Sequence, residues 1–313
     1  MKTGGDAVKK VLVTGAGGFL GQNLVRELLE QGDEVFAVLR DIRRFPLKHE
    51  NLHVIVCGME EYETLAGRKE LRDIPIVFHL AWAGVSGPGS TDYALQLNNV
   101  KCACDLQTAA AQLGIRRFAF ADSIMELEHT KAMASGCCRL PLRHTYHVAK
   151  LAARELLQLR CANAGMEFVP LLISNVYGPG ENSPRLINTA IRALMAREHM
   201  SFTPSEQLYD FIYITDAVRA MALAGERGTP NRLCYIGSPE PRPLKDFLTE
   251  MRDELAPGFP LGIGELPFSG VSLDYTEFDT KLLYRDLGFR QEVPFRRGVR
   301  MTADRIAEKE AQA

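Results

Sequence analysis

A strand, a glycine-rich turn and a helix follow one another near the start of the chain, and this order constrains the fold more than any other feature. The strand is the apolar run Val11–Val13, followed by Gly15, Gly18 and Gly21. Continuous apolar runs are typical of parallel strands buried on both faces. Gly15 permits a tight turn, Gly18 leaves room for a pyrophosphate, and Gly21 lets the helix pack against the sheet. The segment therefore predicts a turn that binds a dinucleotide at the N-terminal amides of the helix.

Strand-like and helical segments alternate up to Asn175, which indicates a parallel sheet covered on both faces. Beyond Asn175 proline and glycine become frequent, which indicates a smaller lobe. We predict strands at Lys10–Thr14, Glu34–Arg40, His53–Val56, Ile76–Leu80, Arg117–Ala121 and Phe168–Ser174, with Tyr209–Ile214 and Leu233–Ile236 returning to the sheet. We predict helices at Phe19–Gln31, Tyr93–Leu113, Tyr146–Ala164, Arg185–Arg197, Leu244–Glu254 and Phe295–Glu308. The expected domains are a dinucleotide-binding domain over 1–174, joined by 209–236, and a substrate-binding lobe from 175–208 and 237–313.

A tyrosine and a lysine stand one helical turn apart in the predicted helix over 146–164. Tyr146 and Lys150 are four residues apart and so share one face of that helix. A cation beside a phenol stabilises the phenolate and lowers the pKa of the phenol. Such a phenol can give a proton to a carbonyl oxygen or take one from an alcohol. The alternative is a solvent-facing pair of the kind that is common on helices.

Several motifs resemble those of one large superfamily. Residues Thr14–Gly21 resemble the Thr-Gly-x-x-Gly-x-x-Gly of the short-chain dehydrogenases/reductases. Others are similar to motifs of its extended branch, the nucleotide-sugar epimerases, dehydratases and ketoreductases: Phe78–Ala81, Asn99-Val100, Ser174–Gly180 and Tyr209–Asp216. The resemblance runs from about Lys10 to Thr302. It implies a Rossmann-type doubly wound parallel sheet with a smaller C-terminal α/β substrate lobe.

The resemblance also implies roles for individual residues. Ser123, Tyr146 and Lys150 would form the catalytic site, with Ser123 hydrogen-bonded to the substrate oxygen. The implied cofactor-binding residues are Gly15, Gly18, Phe19, Leu20, Gly21, Ala81, Asn99, Tyr146 and Lys150, to which we add Arg40 and Arg43 for their charge. The implied substrate-binding residues are Ser123, Asn175, Arg185 and Tyr209. Tyr209 and Leu172 stand where many members carry arginines, which leaves Arg185, Arg242 or Lys245 to contact a diphosphate.

The residues around Ser123 restrict the reaction. The 4,6-dehydratases of the family follow the catalytic hydroxyl with Asp-Glu, whereas Ile124-Met125 follow it here and cannot transfer a proton. Sugar dehydration is therefore excluded. Asp122 is a departure from the family that could tune the site or cap a loop, and of these two roles we expect the capping one. The group Glu126, Glu128 and His129 predicts a solvated loop, and no metal site is expected.

The end of the second strand bears on the choice of cofactor. Arg40 and Arg43 suit a 2′-phosphate by charge and by the geometry of the guanidinium, which favours NADP(H). Asp41 leaves NAD(H) possible, because a carboxylate at this point accepts hydrogen bonds from the adenosine ribose.

Three functional interpretations follow. The first is a nucleotide-sugar 4-ketoreductase with a Ser-Tyr-Lys site, and the second is a nucleotide-sugar 4-epimerase with tightly held NAD. The third is a cofactor-binding sensor without catalysis, against which the intact Ser123, Tyr146 and Lys150 argue. A reductase of smaller carbonyl compounds fits the run Asn175–Gly180 less well.

Composition restricts the classes of partner and the cellular compartment that we expect for the chain. The formal net charge is −2, so the chain lacks the basic footprint of a nucleic-acid-binding protein. No apolar run approaches a membrane span, and residues 1–5 lack a hydrophobic signal region. Seven cysteines fit a reducing compartment, so we expect a cytoplasmic protein. By resemblance to the family, we expect a homodimer formed by the helices over 93–113 and 146–164.

Overall fold

The computed structural model describes residues 8–136, 140–181, 183–268 and 270–311. The strands are β1 (Lys10–Thr14), β2 (Glu34–Leu39), β3 (Leu52–Val56), β4 (Ile76–His79), β5 (Arg117–Ser123), β6 (Glu167–Ile173), β7 (Asn175–Tyr177), β8 (Ser201–Phe202), β9 (Leu208–Tyr209), β10 (Phe211–Tyr213), β11 (Cys234–Ile236), β12 (Arg242–Pro243) and β13 (Gly262–Ile263). The helices are α1 (Phe19–Glu30), α2 (Tyr93–Gln112), α3 (Met125–Ala134), α4 (His144–Asn163), α5 (Leu186–Ala196), α6 (Ile214–Arg227), α7 (Leu244–Leu255), α8 (Leu282–Asp286) and α9 (Phe295–Ala311).

The main sheet has the order expected of a doubly wound fold. Within the described part of the chain, seven strands pair in the order β11-β6-β5-β4-β1-β2-β3. The pairs β1–β2, β1–β4, β2–β3, β4–β5 and β5–β6 are all parallel. The order reverses at β1, and the crevice outside the carboxyl ends of the strands at such a point is where these sheets bind ligands. The predicted Rossmann-type sheet is confirmed.

Hydrophobic patterning explains why the first elements form. Leu12 and Val13 in β1 are buried, as both faces of the sheet are covered. In α1, the buried residues Leu24, Val25 and Leu28 recur at helical spacing and form the stripe that packs toward the sheet. The predicted strands of the main sheet agree with the observed ones to within two residues at each end. The helix predicted over 146–164 is observed as α4, which begins two residues earlier, at His144.

The chain divides into two compact units. Unit 1 contains the described residues up to Ile173 together with Val218–Cys234, and unit 2 contains Ser174–Ala217 and the described residues from Tyr235 onward. The expectation that 209–236 returns to the first domain differs from this division. Only 218–234 belongs to unit 1, because β9 and β10 pair with β12 and β7 in small separate sheets of unit 2. The expected strand over 233–236 does join the main sheet as β11.

Unit 2 has its own aromatic core. Phe247 lies 4.9 Å from Phe211 and 4.8 Å from Phe295, measured between ring centroids. The Tyr177 hydroxyl donates a hydrogen bond to the Phe295 carbonyl at 3.0 Å. Gly298 is required beside it, because a Cβ there would overlap that hydroxyl. These contacts join β7, β10, α7 and α9. In neither unit does a described helix have the length and apolar character needed to cross a membrane.

Candidate active site

The turn after β1 is closed by contacts that only glycine permits. Gly15 has φ +70°, and a Cβ there would lie 2.5 Å from the Ala81 nitrogen. A Cβ on Gly21 would overlap the Gly15 carbonyl oxygen. Gly18 differs, because its Cβ would lie 3.3 Å from that oxygen, and its position at the N-cap of α1 has no side-chain cap. The amides of Phe19 and Leu20 follow it directly. This bare helix start fits a dinucleotide pyrophosphate.

The end of β2 contains a charge pair rather than two free guanidinium groups. Arg43 Nε and Nη2 donate to the two carboxylate oxygens of Asp41 at 2.8 and 2.9 Å. The same carboxylate caps the short 3-10 helix Ile42–Arg44 by accepting a hydrogen bond from the Arg43 amide. Arg40 is exposed. The Arg43 guanidinium, which was expected to bind a 2′-phosphate, is therefore hydrogen-bonded to the Asp41 carboxylate instead.

Asn99 holds the backbone after β4. Its Oδ1 accepts a hydrogen bond from the Ala83 amide at 2.9 Å, and its Nδ2 donates to the Ala83 carbonyl at 2.8 Å. Just before this loop, His79 Nδ1 lies 2.7 Å from Thr14 Oγ1. Burial lowers the pKa of His79 to about 3, so the imidazole is neutral. His79 is thus a structural residue that joins β4 to β1, and Asn99 supports the loop that bears Ala81 and Trp82.

Tyr146 and Lys150 are both buried on α4, and Lys150 reaches the carboxyl end of β5. Lys150 Nζ donates to the Ala121 carbonyl at 2.8 Å. It lies 3.8 Å from the centre of the Trp82 ring and 4.8 Å from that of Phe120. Burial lowers the pKa of the ammonium to about 7, against the opposing effect of the Asp122 and Glu126 carboxylates. The Lys150 amino group is therefore held by one carbonyl and two aromatic faces.

Trp82 is a site residue that sequence reasoning missed. Its ring faces the Lys150 ammonium and stands perpendicular to the Tyr146 ring, with a centroid separation of 6.3 Å. Its indole nitrogen donates to Gln96 Oε1 at 2.8 Å, which fixes the ring. Two features of the sequence could have indicated this role. Trp82 directly follows Ala81 at the carboxyl end of β4, and it is the single tryptophan of the sequence.

Ser123 is the last residue of β5, paired in register with Ile173 of β6. Its Oγ accepts a hydrogen bond from the Met125 amide at 3.3 Å. Its own amide donates to Asp122 Oδ1 at 2.9 Å. Ser123 and the Ala121 carbonyl that binds Lys150 therefore lie together at the carboxyl end of β5.

The segment after Ser123 is a helix, and the expectation of a solvated loop was wrong. Asp122 and Glu126 have fully buried side chains, and Arg154 Nε lies 3.2 Å from Asp122 Oδ2 and 3.0 Å from Glu126 Oε1. Burial raises the pKa of both carboxyls, and the Arg154 guanidinium acts against that rise. Asp122 does more than cap a loop, because it is part of a buried charge cluster between β5, α3 and α4.

The other polar residues of α3 lie beside a group of imidazoles. His129 Nδ1 is 3.3 Å from His144 Nδ1, and the rings of His144 and His147 are 4.5 Å apart. Burial lowers the pKa of His147 to about 3 and also lowers that of His144. Glu128 is half-buried. Among the described residues, no group of three or more His, Cys, Asp or Glu side chains is placed to hold a metal ion.

The expected substrate residues lie in unit 2. Asn175 begins β7 and pairs with Phe211 of β10. Tyr209 stacks on Phe211 at 5.8 Å and stands opposite Arg242 in the β9–β12 pair. Arg185 is the exposed N-cap of α5 and makes no ion pair with any described residue. Arg242 is paired with Glu250 and covers the Phe247 ring at 4.0 Å.

A parallel sheet that reverses its order at β1, a glycine turn after that strand and a buried tyrosine–lysine pair define a short-chain dehydrogenase/reductase of the extended type. The chain belongs to the NAD dependent epimerase/dehydratase family, whose model matches residues 11–237. It is an enzyme of that family.

Relatives of known description span several activities. Over 244 residues the chain is 27% identical to a Bacillus subtilis (strain 168) protein described as an uncharacterized UDP-glucose epimerase, covering 74% of this chain and 77% of that protein. It is 29% identical to the 2-alkyl-3-oxoalkanoate reductase of Stenotrophomonas maltophilia (strain K279a), covering 77% and 74%. A solved UDP-N-acetylglucosamine 4-epimerase from Methanobrevibacter ruminantium M1, in complex with UDP-N-acetylmuramic acid, shares the fold with a TM-score of 0.79 at 24% identity, covering 97% and 100%.

Proposed function

We propose that the protein transfers a hydride between a nicotinamide cofactor and the C4 position of a nucleotide-sugar, acting as a 4-ketoreductase. The observation that carries the proposal is the fixed Lys150 ammonium on the same face of α4 as Tyr146, at the strand end that bears Ser123. This arrangement can deliver a proton to a carbonyl oxygen. It contains no second acid and base directly after Ser123 for removing water.

Each residue has a distinct part in the proposed reaction. The Tyr146 phenol gives its proton to the carbonyl oxygen of the substrate, and the resulting phenolate is stabilised by the Lys150 cation. The Ser123 hydroxyl donates a hydrogen bond to the same oxygen, which orients it. A bound nicotinamide dinucleotide supplies the hydride. Gly18 and the amides that follow it would hold its pyrophosphate, and Asn99 fixes the adjoining loop.

A nucleotide-sugar 4-epimerase is the second candidate. Solved structures of UDP-sugar 4-epimerases are prominent among those that share this fold. The same tyrosine would remove the hydroxyl proton while hydride leaves, and would return it after the 4-keto sugar has turned. That reaction requires an oxidised cofactor which stays bound, and it consumes none.

For the cofactor we propose NAD(H). The expected preference for NADP(H) rested on Arg40 and Arg43, and Arg43 is engaged by Asp41. The family is described as NAD dependent, and a Bordetella bronchiseptica enzyme with this fold was solved with NADH. Of these two arginines, Arg40 remains as an exposed cation for a 2′-phosphate.

For the substrate diphosphate we propose Arg185 as the principal cation, with Asn175 and Tyr209 lining the nucleotide-sugar site. Arg185 is exposed and makes no ion pair with any described residue, whereas Arg242 is already paired with Glu250 and Lys245 lies 3.8 Å from Glu206. Tyr209 replaces the arginine common at this point in the family, and its ring is held against Phe211.

We also propose a homodimer formed through α2 and α4. These two helices pack side by side in unit 1, where Arg160 Nε donates to Gln107 Oε1 at 3.1 Å. Each helix carries large apolar side chains that remain exposed, namely Tyr93, Leu97, Val148, Leu156 and Leu159. A second copy would bury these side chains in a two-fold contact of four helices.

One experiment separates the two reactions. The purified protein is incubated with NADH and 4-keto nucleotide-sugars, or with NAD and the 4-hydroxy forms, while nicotinamide absorbance and chromatography of the sugars are followed together. A ketoreductase oxidises one NADH for each keto sugar consumed. An epimerase interconverts sugar isomers with no net change in absorbance. Absence of both reactions with every nucleotide-sugar would contradict the proposed substrate class.

A further inference from the structure

We infer that Gln96 is a positioning residue, whose side-chain amide binds the Trp82 indole on one side and the loop after β4 on the other, so that both keep one arrangement beside Lys150. This loop, residues 83–89, is called the β4 loop below. The inference rests on the proposed function, since it assigns the Trp82 ring a part in holding Lys150 for that reaction. The β4 loop leaves the sheet where β4 lies beside β1, and at such a reversal of strand order parallel sheets bind ligands.

The contacts of Gln96 use the whole hydrogen-bonding capacity of its amide, and the residue is only 1% exposed. Its Oε1 accepts a hydrogen bond from Trp82 Nε1 at 2.8 Å. Its Nε2 donates to the carbonyls of Gly89 at 2.8 Å and Gly84 at 2.9 Å, and it lies 3.3 Å from the Ala83 carbonyl oxygen. A glutamine side chain offers one acceptor oxygen and two N–H donors, so oxygen and nitrogen are both required here.

The β4 loop folds back on itself around this amide. A Cβ on Gly84 would lie 2.6 Å from the Gly89 carbonyl oxygen, and one on Gly89 would lie 2.8 Å from Gly84 Cα. Asn99 lies one helical turn after Gln96 in α2 and binds the amide and carbonyl of Ala83. Asn99 therefore secures the start of the loop, and Gln96 joins the start of the loop to its end.

The same amide fixes the direction in which the Trp82 ring faces. With its indole nitrogen on Gln96, the ring presents its face to Lys150 Nζ, which lies 3.8 Å from the ring centre. The ring also stands perpendicular to that of Tyr146. An indole N–H removed from water needs an acceptor. Without Gln96 the N–H would have to turn toward another acceptor, and the face of the ring would turn away from Lys150.

The first test reads the indole directly and needs no substrate. Trp82 is the single tryptophan, so the full chain labelled with nitrogen-15 tryptophan gives one indole N–H resonance. In Gln96→Met, which keeps the length of the side chain and lacks both polar groups, the indole proton should exchange with solvent roughly tenfold faster than in the wild type. Gln107→Met, at a second buried glutamine of α2, is the matched control and should leave this exchange unchanged. Unchanged exchange in Gln96→Met, or equal acceleration in both variants, would overturn the inference.

The second test separates the two sides of the amide. Gln96→Glu keeps an acceptor oxygen for the indole and lacks the amide donor for the loop. Hydrogen–deuterium exchange followed by mass spectrometry should show faster uptake across residues 83–89 in both Gln96→Met and Gln96→Glu, while the indole stays protected in Gln96→Glu. If Gln96→Met does not fold, Gln96→Glu decides alone, and unchanged uptake in the loop would overturn the inference.

The third test measures turnover in two backgrounds. Gln96→Met should lower kcat roughly tenfold in the wild-type chain, but less than about threefold in Trp82→Phe, because the phenylalanine ring has no N–H to satisfy. Equal losses in the two backgrounds would show that Gln96 acts independently of the ring and would overturn the inference. Absence of turnover in the wild type contradicts the proposed function only, because the exchange of the indole and of the loop still decides the role of Gln96.

Discussion

The Lys150 ammonium lies 3.8 Å from the centre of the Trp82 ring, over its face. A desolvated cation over an indole is stabilised by about 2 kcal/mol. We predict that Trp82→Leu lowers kcat at pH 7 by roughly ten- to thirtyfold, which is that energy expressed as a rate. Trp82→Phe keeps an aromatic face and should retain most of the activity. Equal losses in both variants would show that the ring acts by its volume alone.

Tyr146→Phe removes the transferable proton and keeps the ring. We predict a fall in turnover of roughly 10²–10⁴-fold with little change in cofactor affinity. Lys150→Met should differ by also weakening cofactor binding, measured by fluorescence titration with NADH. Tyr93→Phe, at an exposed tyrosine of α2, is the matched control and should behave as wild type in turnover. Near wild-type kcat in Tyr146→Phe would remove this residue from the mechanism.

The Asp41–Arg43 pair gives a prediction for cofactor choice. In the wild type we expect NADH to bind at least as tightly as NADPH. Asp41→Asn should improve the affinity for NADPH by roughly tenfold, because it frees Arg43 for a charge-assisted contact to the 2′-phosphate. Calorimetric titration with both cofactors measures this change. Tighter NADPH binding by the wild type, abolished in Arg40→Ala, would restore the preference that the arginines suggested.

The exposed apolar side chains of α2 and α4 predict the assembly. We expect a dimer by light scattering at micromolar concentration. Leu97→Asp and Leu159→Asp should each convert it to monomer, because two-fold symmetry places every new charge in the contact twice. Leu266→Asp, at an exposed leucine of unit 2, should leave the dimer intact. A wild-type monomer at that concentration would contradict the proposed interface.

Asp210 predicts how stability depends on pH. This buried carboxyl accepts hydrogen bonds from Ser174 Oγ and the Ser238 amide, both at 2.8 Å, and burial raises its pKa to about 6. Because the folded state binds this proton more tightly than the unfolded chain, its contribution is favourable below about pH 4 and is lost as pH rises through 6. The loss amounts to about 3 kcal/mol. Denaturant unfolding of Asp210→Asn should show a flatter dependence between pH 4 and 7, and parallel curves would contradict the assignment.

Most of the main sheet could be predicted from the sequence, because each strand is an apolar run and each flanking helix has a local stripe. Helix α3 could not, since Met125–Ala134 has charged residues where a stripe would be. Burial of Glu126 depends on Arg154, which is 28 residues away in the chain and becomes its neighbour only after folding. The same holds for Trp82, whose role depends on Lys150.

The Asp41–Arg43 pair shows a second limit of sequence reasoning. The sequence favoured a role in cofactor binding for both side chains. In the folded turn, however, the Arg43 guanidinium donates two hydrogen bonds to the Asp41 carboxylate. The positions of β9 and β10 show a third. Their apolar residues fit a strand, but which sheet a short strand joins is decided by its partners, here β12 and β7.

The contact between Gly15 and Ala81 changes what a glycine-rich signature records. Since a side chain at Gly15 would collide with the backbone after β4, and one at Gly21 with the Gly15 carbonyl, both glycines are demanded by the architecture whether or not a nucleotide ever binds. A homologue that no longer binds the cofactor would still need both glycines in order to fold. The fold restricts Gly18 less than the other two glycines. A substitution at Gly18 is therefore the change that would indicate loss of cofactor binding.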